Sequence, residues 1–361
     1  MKSRPLSLPV NEPGVEAAEA SLWPPVVATA NAQMDLLVQH QLTSPHEAEH
    51  ALGRMASLAM QLARIQDDGH LVLQGLRLES PQLVVFAADH GVADEGVSAF
   101  PQEATRQRVL NMLAGNSPVN ALAAMHGVDL TVVDAGVASH IVMPPDTESQ
   151  VPLLVRKIGY GTRNMVLAQA MSAAQARSAL QAGMDVVRHL PGNVVGLSNI
   201  GVAGNASAAQ LLSRLCGVPL ADACGKDQAQ DEVQAQRKLE RLFAAASRHR
   251  KATAPLDVLA AMGGFEIGML CGAMIQAASE RRVVIVDGFV ASAAALLARA
   301  LAPAVADYLV FAHRSAEPGH RLLLIHLQAQ PLLDMELRSS EGTGALLAWP
   351  LLLAAQRLLE R

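Results

Sequence analysis

Residues 83–91 read LVVFAADHG, a run of six apolar residues that stops at an aspartate, a histidine and a glycine. Four more short apolar runs, each followed by polar or glycine residues, lie at residues 130–133, 194–197, 283–286 and 308–312. Apolar runs without alternation, separated by stretches of helical periodicity such as residues 105–125 and 292–301, are typical of buried parallel strands with crossover helices. We therefore predict an α/β fold with a doubly wound, mostly parallel, Rossmann-like sheet.

The polar residues that follow these runs predict where a ligand binds. In doubly wound sheets, ligands bind outside the carboxyl ends of the strands, where helix N-termini attract anions. Asp89 and His90 follow the first run, and residues 313–320 (HRSAEPGH) follow the last. Glu341 lies near the start of a C-terminal helix, and the glycines after it leave the backbone open to a ligand. We expect a site for a small phosphorylated ligand at this edge of the sheet.

The remaining segments suggest a smaller helical domain built from both chain ends. Residues 1–25 are rich in proline and predict an extended N-terminal arm. Residues 26–75 have helical periodicity, residues 76–335 form the predicted sheet domain, and residues 336–361 predict a helical segment that packs with residues 26–75.

Composition excludes several classes of partner. The 361 residues are 51% hydrophobic and 17% charged, with a net charge of -5, so a basic surface for nucleic acid is not expected. The longest apolar run, residues 345–355, is too short to span a membrane. Cys216, Cys224 and Cys271 have no paired spacing, which indicates free, buried thiols. We expect a soluble, cytoplasmic protein.

A competing hypothesis comes from residues 46–50, HEAEH. His46 and His50 stand one helical turn apart and Glu47 follows the first, as in helical zinc peptidases. No nearby third ligand stands out, and the motif lies in a polar stretch. We therefore expect no metal and a solvated start of a helix, with the zinc peptidase kept as a remote alternative.

Residues 86–103, FAADHGVADEGVSAFPQE, resemble the nicotinate-nucleotide:dimethylbenzimidazole phosphoribosyltransferase family, whose members activate the lower ligand of cobalamin. Further matches occur in the same order at residues 134–136, 263–266, 287–289, 312–320 and 341–345. The resemblance extends over roughly residues 42–353 and implies a homodimer with a parallel-sheet domain and a small helical domain.

The resemblance also implies a reaction that needs no cofactor. A nitrogen of dimethylbenzimidazole or a related base attacks the ribose carbon of nicotinate mononucleotide, nicotinate leaves, and an α-riboside 5'-phosphate forms. Glu341 matches the glutamate that accepts the proton from the base, a task suited to a carboxylate at neutral pH.

The family's binding residues carry over position by position. The lower-ligand base is implied to contact Phe100, Gln107, Ser339 and Ser340. The phosphoribosyl donor is implied to contact Asp89, His90, Asn199, Gly201, Lys238, Gly264, Asp287, Ser315, Ala316 and Gly319.

This sequence departs from the family in three places. The family's usual signature survives only at residues 42–45 and 52–54, so the zinc-like motif at residues 46–50 falls in a divergent segment. Residues 198–206 lack the family's glutamate, whose place is taken by Asn199 or, in the alternative register, by Ile200. The usual Leu-Gly before Glu341 is Ser339-Ser340, which makes the base pocket more polar. Two interpretations stay open: a working transferase with altered base preference, or a divergent homologue that binds nucleotide or base without efficient turnover.

Overall fold

Strand β1 (Gln82–Ala88) is buried along its whole length and lies inside a six-stranded sheet. The computed structural model describes residues 22–43, 51–69, 73, 76–225, 232–339 and 341–360. The other strands of this sheet are β2 (Asp129–Gly136), β3 (Leu153–Val155), β4 (Val194–Ile200), β5 (Val283–Val286) and β6 (Leu309–Phe311). Every pair in the order β3-β2-β1-β4-β5-β6 is parallel, which confirms the predicted fold class.

Helices cover both faces of the central strands, since β1, β4 and β5 are buried at every position. The first helices along the chain are α1 (Ala32–Leu42), α2 (Arg54–Gln66), α3 (Glu103–Leu113), α4 (Pro118–His126), α5 (Ala173–Arg188), α6 (Gly204–Cys216) and α7 (Leu220–Cys224). They are followed by α8 (Glu232–Arg248), α9 (Pro255–Met262), α10 (Phe265–Ser279), α11 (Gly288–Leu301), α12 (Pro318–Leu327) and α13 (Thr343–Leu359).

Strand order sets the position of the site. The chain leaves β1 toward β2 on one side and reaches β4 on the other, so the direction of winding reverses between β1 and β4. Crevices at such switch points are where open α/β sheets bind ligands. Phe86 of β1 pairs with Asn199 of β4, close to the carboxyl ends of both strands.

Two details differ from the sequence prediction. Residues 105–125 form two helices, because Ser117 caps a new helix that begins at Pro118. Strand β3 was not predicted, since it has only three residues and lies partly exposed at the sheet edge. Two further short strands, β7 (His313–Arg314) and β8 (Leu333–Asp334), pair with each other outside the main sheet.

The chain ends meet as far as the structure describes them. Helix α13 packs against α1, α2 and α4, and Gln356 accepts a hydrogen bond from the Leu78 backbone N–H. The division into domains stays a prediction, and the N-terminal arm falls largely outside the described residues. Within the described part, every helix is too short or too polar to cross a bilayer. Cys224 and Cys271 are buried, whereas Cys216 is partly exposed, and all three are free thiols.

The close crossing of α5 and α10 generates a stability prediction. A Cβ atom at Gly183 of α5 would overlap the backbone carbonyl of Met269 in α10. Gly183→Ala should therefore push the helices apart and lower the free energy of unfolding by about 1–3 kcal/mol, as overpacking does. Chemical denaturation measures the loss. The control is Ser178→Ala, an exposed change on the same helix that should stay within about 0.5 kcal/mol of the parent. Equal stability of Gly183→Ala and the parent protein would rule out this close contact.

Candidate active site

A cleft of about 420 Å³ opens at the switch point between β1 and β4. Six of the residues predicted from the sequence line it: Phe100, Asn199, Gly201, Lys238, Ser339 and Glu341. They come from the loop after β1, the end of β4, helix α8 and the segment before α13. The fold thus gathers residues that lie up to 241 positions apart, from Phe100 to Glu341, in one cavity.

Glu341 is one of two glutamates that line this cleft, the other being Glu317. Its side chain is 20% exposed, and burial raises its pKa above the usual value for a glutamate. The guanidinium of Arg108 on α3 lies 3.7 Å from Glu341 Oε1 and opposes this shift, whereas the negative charge of Asp287 reinforces it. A carboxylate with a raised pKa facing a cleft is suited to accept a proton from a bound ligand.

Asp287 fixes the backbone around Glu341. Its Oδ2 accepts hydrogen bonds from the Gly342 N–H at 2.8 Å and the Ser198 hydroxyl at 2.9 Å, and its Oδ1 accepts from the Ala345 N–H at 3.1 Å. Asp287 is fully buried, and hydrogen bonds to a buried carboxylate are stronger than neutral ones. The residue following β5 therefore holds the first turn of α13, and with it Glu341, against the sheet.

Two glycines make this anchorage possible. Gly342 has φ +106, a conformation that side-chain-bearing residues rarely adopt. At Gly344, a Cβ atom would overlap the His313 ring and the Asp287 carboxylate. The motif Glu-Gly-Thr-Gly at residues 341–344 thus combines the acidic side chain with a backbone that comes into close contact with Asp287.

A buried ion pair lies beneath the cleft. His90 Nε2 is 2.7 Å from Glu266 Oε1, and the Ser207 hydroxyl lies 3.0 Å from His90 Nδ1. Burial lowers the pKa of His90, but the neighbouring Glu266 carboxylate outweighs it, so the net shift is upward. Gly264 packs against this pair. His90 and Gly264 are not among the residues that line the cleft.

Asp89 ties three segments together behind the cleft. Its Oδ2 accepts from the Ala138 N–H at 2.8 Å, and its carboxyl group is hydrogen-bonded to Thr105 on α3. Thr105 Oγ1 in turn accepts from the Val202 N–H at 3.0 Å, in the loop after β4. Burial raises the pKa of Asp89. The network sets the position of the loop that carries Gly201 into the cleft.

Asn199 and Lys238 present polar groups to the cleft from buried positions. Asn199 is 3% exposed, and among the described residues its Oδ1 has no hydrogen-bond partner. Lys238 is 9% exposed and lies on α8. A buried amide oxygen without a partner is costly unless a ligand or water satisfies it. The Asn199 amide oxygen is therefore available to a molecule in the cleft, and Lys238 adds a cationic side chain to the cleft lining.

A second cavity of about 360 Å³ adjoins the cleft and shares Glu317 and Arg338 with it. Ser315 and Ala316, two of the predicted donor-binding residues, line this cavity. The Ser315 N–H donates to His320 Nδ1 at 3.0 Å. Gly319, in the first turn of α12, is buried against α7.

Buried His320 holds this loop in one orientation. Burial, aided by His313 and Arg314, lowers the pKa of His320 to about 3, so the ring is neutral at neutral pH. Since Nδ1 accepts from Ser315, the proton of the neutral ring belongs on Nε2, which lies 3.0 Å from the Ser292 hydroxyl.

Other predicted residues lie elsewhere. Gln107 is exposed on α3, donates to Asn111 at 3.0 Å and does not line the cleft. Ser340 lies outside the described residues, as do His46, Glu47 and His50 of the zinc-like motif. Within the described ranges, no group of three or more His, Cys, Asp or Glu side chains is arranged to hold a metal ion.

Sequence reasoning missed Arg108, Asn205 and Arg338, all of which line the cleft. Arg108 directly follows Gln107, and the register of α3 turns Arg108 rather than Gln107 into the cavity. Arg108 lies one turn from Thr105 and from Met112, both on the buried face of α3, so the helical spacing of these residues is the signal that could have found it.

Comparison with known proteins gives a consistent result. A family model described as "Phosphoribosyltransferase" matches residues 27–361. The chain is 48% identical over 312 residues to the nicotinate-nucleotide:dimethylbenzimidazole phosphoribosyltransferase of Cupriavidus necator, covering 86% of this chain and 87% of that protein. It is 47% identical over 309 residues to the protein of the same name from Variovorax paradoxus, covering 86% and 85%. The crystal structure of a protein of that name from Thermus thermophilus superposes with a TM-score of 0.82 at 35% identity, covering 91% of this chain and 96% of that one.

The Asp287 anchor can be tested without any ligand. Asp287→Asn removes the charge and places an N–H₂ group where N–H donors now point, so the free energy of unfolding should fall by about 2–3 kcal/mol. Hydrogen exchange at residues 342–346 should accelerate at least about tenfold. Asp334→Asn is the control, because its ion pair with Arg314 is exposed and should contribute less than about 1 kcal/mol. Unchanged exchange at residues 342–346 in Asp287→Asn would contradict the anchor.

Proposed function

The chain belongs to the nicotinate-nucleotide:dimethylbenzimidazole phosphoribosyltransferase family, and we propose that it transfers the phosphoribosyl group of nicotinate mononucleotide to dimethylbenzimidazole or a related base. The chain is thus a pentosyltransferase. Its products are nicotinate and an α-riboside 5'-phosphate, the precursor for the nucleotide loop of cobalamin. The observation that carries the assignment of chemistry is Glu341, a partly buried carboxylate of raised pKa in the cleft at the switch point.

In the proposed reaction, the unprotonated ring nitrogen of the base attacks the anomeric carbon of the ribose. A carbon–nitrogen bond to the base forms as the bond to nicotinate breaks. Nicotinate leaves with the electron pair, which neutralises its pyridinium nitrogen. Glu341 accepts the proton from the other nitrogen of the base, so no positive charge remains on the product ring.

Charge and burial support a location for the donor. Lys238 supplies a positive charge at the cleft wall, and Asn199 supplies an amide oxygen without a hydrogen-bond partner among the described residues. Gly201 brings the backbone to the cleft, and the adjoining cavity adds Ser315 and Ala316. We assign the ribose to the cleft beside Asn199 and the phosphate to the side of Lys238 or Ser315. A cation and backbone N–H groups both suit a phosphate.

The remaining predicted donor residues support the site from behind. Asp89, His90 and Asp287 are buried and already bonded to protein groups, and Gly264 packs on the His90–Glu266 pair. Direct contact of these residues with the donor stays a prediction. Their contacts favour a role in positioning Glu341 and the loop after β4.

We also infer that the protein works as a cytoplasmic homodimer. Leu36 and Leu37 on α1 are 67% and 54% exposed, an apolar surface that a second copy of the chain would cover. This inference rests on the family resemblance together with that surface.

Replacing Glu341 tests the assignment of the base. Glu341→Gln keeps the size of the side chain but removes its basicity, so nicotinate release should fall by roughly a hundredfold or more. Because burial raises the pKa of Glu341, the charged form is lost at a higher pH than for an ordinary glutamate. The parent enzyme should therefore lose kcat/KM as pH falls through that raised pKa, and the variant should lack this decline. The pH at which kcat/KM declines also depends on two charged neighbours of Glu341: Arg108 lowers its pKa, and Asp287 raises it.

The control is Glu79→Gln, an exposed change next to the amino end of β1 at the opposite edge of the sheet. It should leave both the rate and the pH profile as in the parent. Near-normal turnover by Glu341→Gln would show that another group accepts the proton.

Asn199 provides a second test, because the family places a glutamate at or beside this position. A carboxylate would stabilise positive charge developing at the anomeric carbon, whereas an amide offers only a neutral dipole. We expect slow turnover by the parent enzyme and a higher kcat in Asn199→Glu with little change in the KM for nicotinate mononucleotide. Asn199→Gln introduces a side chain of the same length as glutamate but without its charge, so the kcat of this variant should not exceed that of the parent enzyme. A slower Asn199→Glu, or a change in KM alone, would indicate that this loop serves another donor.

A further inference from the structure

Arg108 occupies an unusual place in the cleft. Its guanidinium lies 4.7 Å from the centroid of the Phe100 ring, a cation–π contact, and 3.7 Å from Glu341 Oε1. The three residues together line one part of the cavity, with Ser339 beside them. One face of the Phe100 ring is thus covered by a cation.

Protein groups use little of the hydrogen-bonding capacity of this cation. The distance to Glu341 is longer than a hydrogen bond, and the two side chains are 38% and 20% exposed, so the ion pair itself contributes little. Within the described ranges, no hydrogen bond from the Arg108 guanidinium to a protein acceptor is formed. Guanidinium groups carry five N–H donors in one plane. These donors therefore remain for a molecule in the cleft.

Apolar methyl groups are a poor match for such a wall. A substituent that covers the guanidinium without accepting a hydrogen bond displaces its water molecules and leaves its N–H donors without a partner, which weakens binding. A hydroxyl, carbonyl or ring nitrogen at the same place accepts an N–H from Arg108. Ser339, also in this wall, adds a second small polar group that can donate or accept.

We propose that Arg108, held against Phe100, makes this enzyme select acceptor bases that carry a hydrogen-bond acceptor on the ring edge away from the reacting nitrogens. This inference rests on the proposed function, since it concerns the acceptor of that reaction. Glu341 takes the N–H proton of the base, and Arg108 recognises a hydroxyl or carbonyl oxygen on its benzo or pyrimidine ring. Arg108 is then a specificity-determining residue that contacts the acceptor.

A matched pair of acceptors isolates this contact. 5-Hydroxybenzimidazole and 5-methylbenzimidazole have substituents of similar size, but only the hydroxyl oxygen accepts a hydrogen bond. The full-length enzyme is assayed for nicotinate release with each base at saturating nicotinate mononucleotide. Binding of each base is measured in parallel by titration calorimetry, so that recognition is seen apart from turnover.

The parent enzyme should favour the hydroxy base over the methyl base by about tenfold in kcat/KM and in affinity. Arg108→Met keeps an unbranched side chain on Phe100 but has no hydrogen-bond donors. This variant should therefore lose or reverse the preference for the hydroxy base, while it still accepts the methyl base as a substrate. The control is Arg177→Met, an exposed change on α5 outside the cleft, which should keep the parent ratio.

Two results would overturn the inference. One is a parent enzyme that favours the methyl base. The other is an Arg108→Met variant that keeps the parent ratio, which would show that in the parent enzyme the guanidinium moves away and Phe100 stacks on the base. Failure of the proposed function gives a different result. In that case the binding ratio would respond to Arg108→Met as described, but no enzyme form would release nicotinate with either base.

Discussion

The buried carboxylate of Asp287 is the interaction on which the site depends. It follows strand β5 and accepts hydrogen bonds from the Gly342 and Ala345 backbone and from Ser198 at the end region of β4. A charged group without exposure to water needs such partners, and here they come from two separate parts of the chain, β4 and the start of α13. The requirement to satisfy Asp287 thus joins the sheet, the C-terminal helix and the acidic residue that faces the cleft.

Glu341, which lines the cleft, and Glu266, which lies beneath it, differ because their surroundings differ. Glu266 lies in a buried pair with His90, whereas Glu341 faces the cavity with its pKa raised by partial burial and moderated by Arg108. The Glu266 carboxylate is bound to a buried histidine, whereas Glu341 is the carboxylate that we propose accepts the proton. Lys238 on α8 adds a cation to the lining of the same cavity, so a group suited to an anionic ligand and a carboxylate suited to accept a proton line one cleft.

Much of this could be predicted from the sequence, for identifiable physical reasons. Uniformly apolar runs such as residues 83–88 predicted buried parallel strands. Strand β3 was not predicted, because its three partly exposed residues are too few to form such a run. Six predicted residues line the cleft because strand ends converge at the switch point. Arg108 was missed although it lies one helical turn from Thr105 and from Met112 on the buried face of α3, because the family resemblance pointed to the neighbouring Gln107. The motif at residues 287–289 indicated that Asp287 matters, but only coordinates show which backbone groups it holds.

The central claim is that Asp287 holds Glu341 where the acceptor base loses its proton. A crystal structure of the enzyme with bound dimethylbenzimidazole tests it most directly. We predict a ring nitrogen of the base about 2.6–3.2 Å from a Glu341 carboxylate oxygen, with the Asp287 bonds to Gly342 and Ala345 intact. A base bound elsewhere in the cleft, or a Glu341 that reaches it only after those two bonds break, would contradict this account.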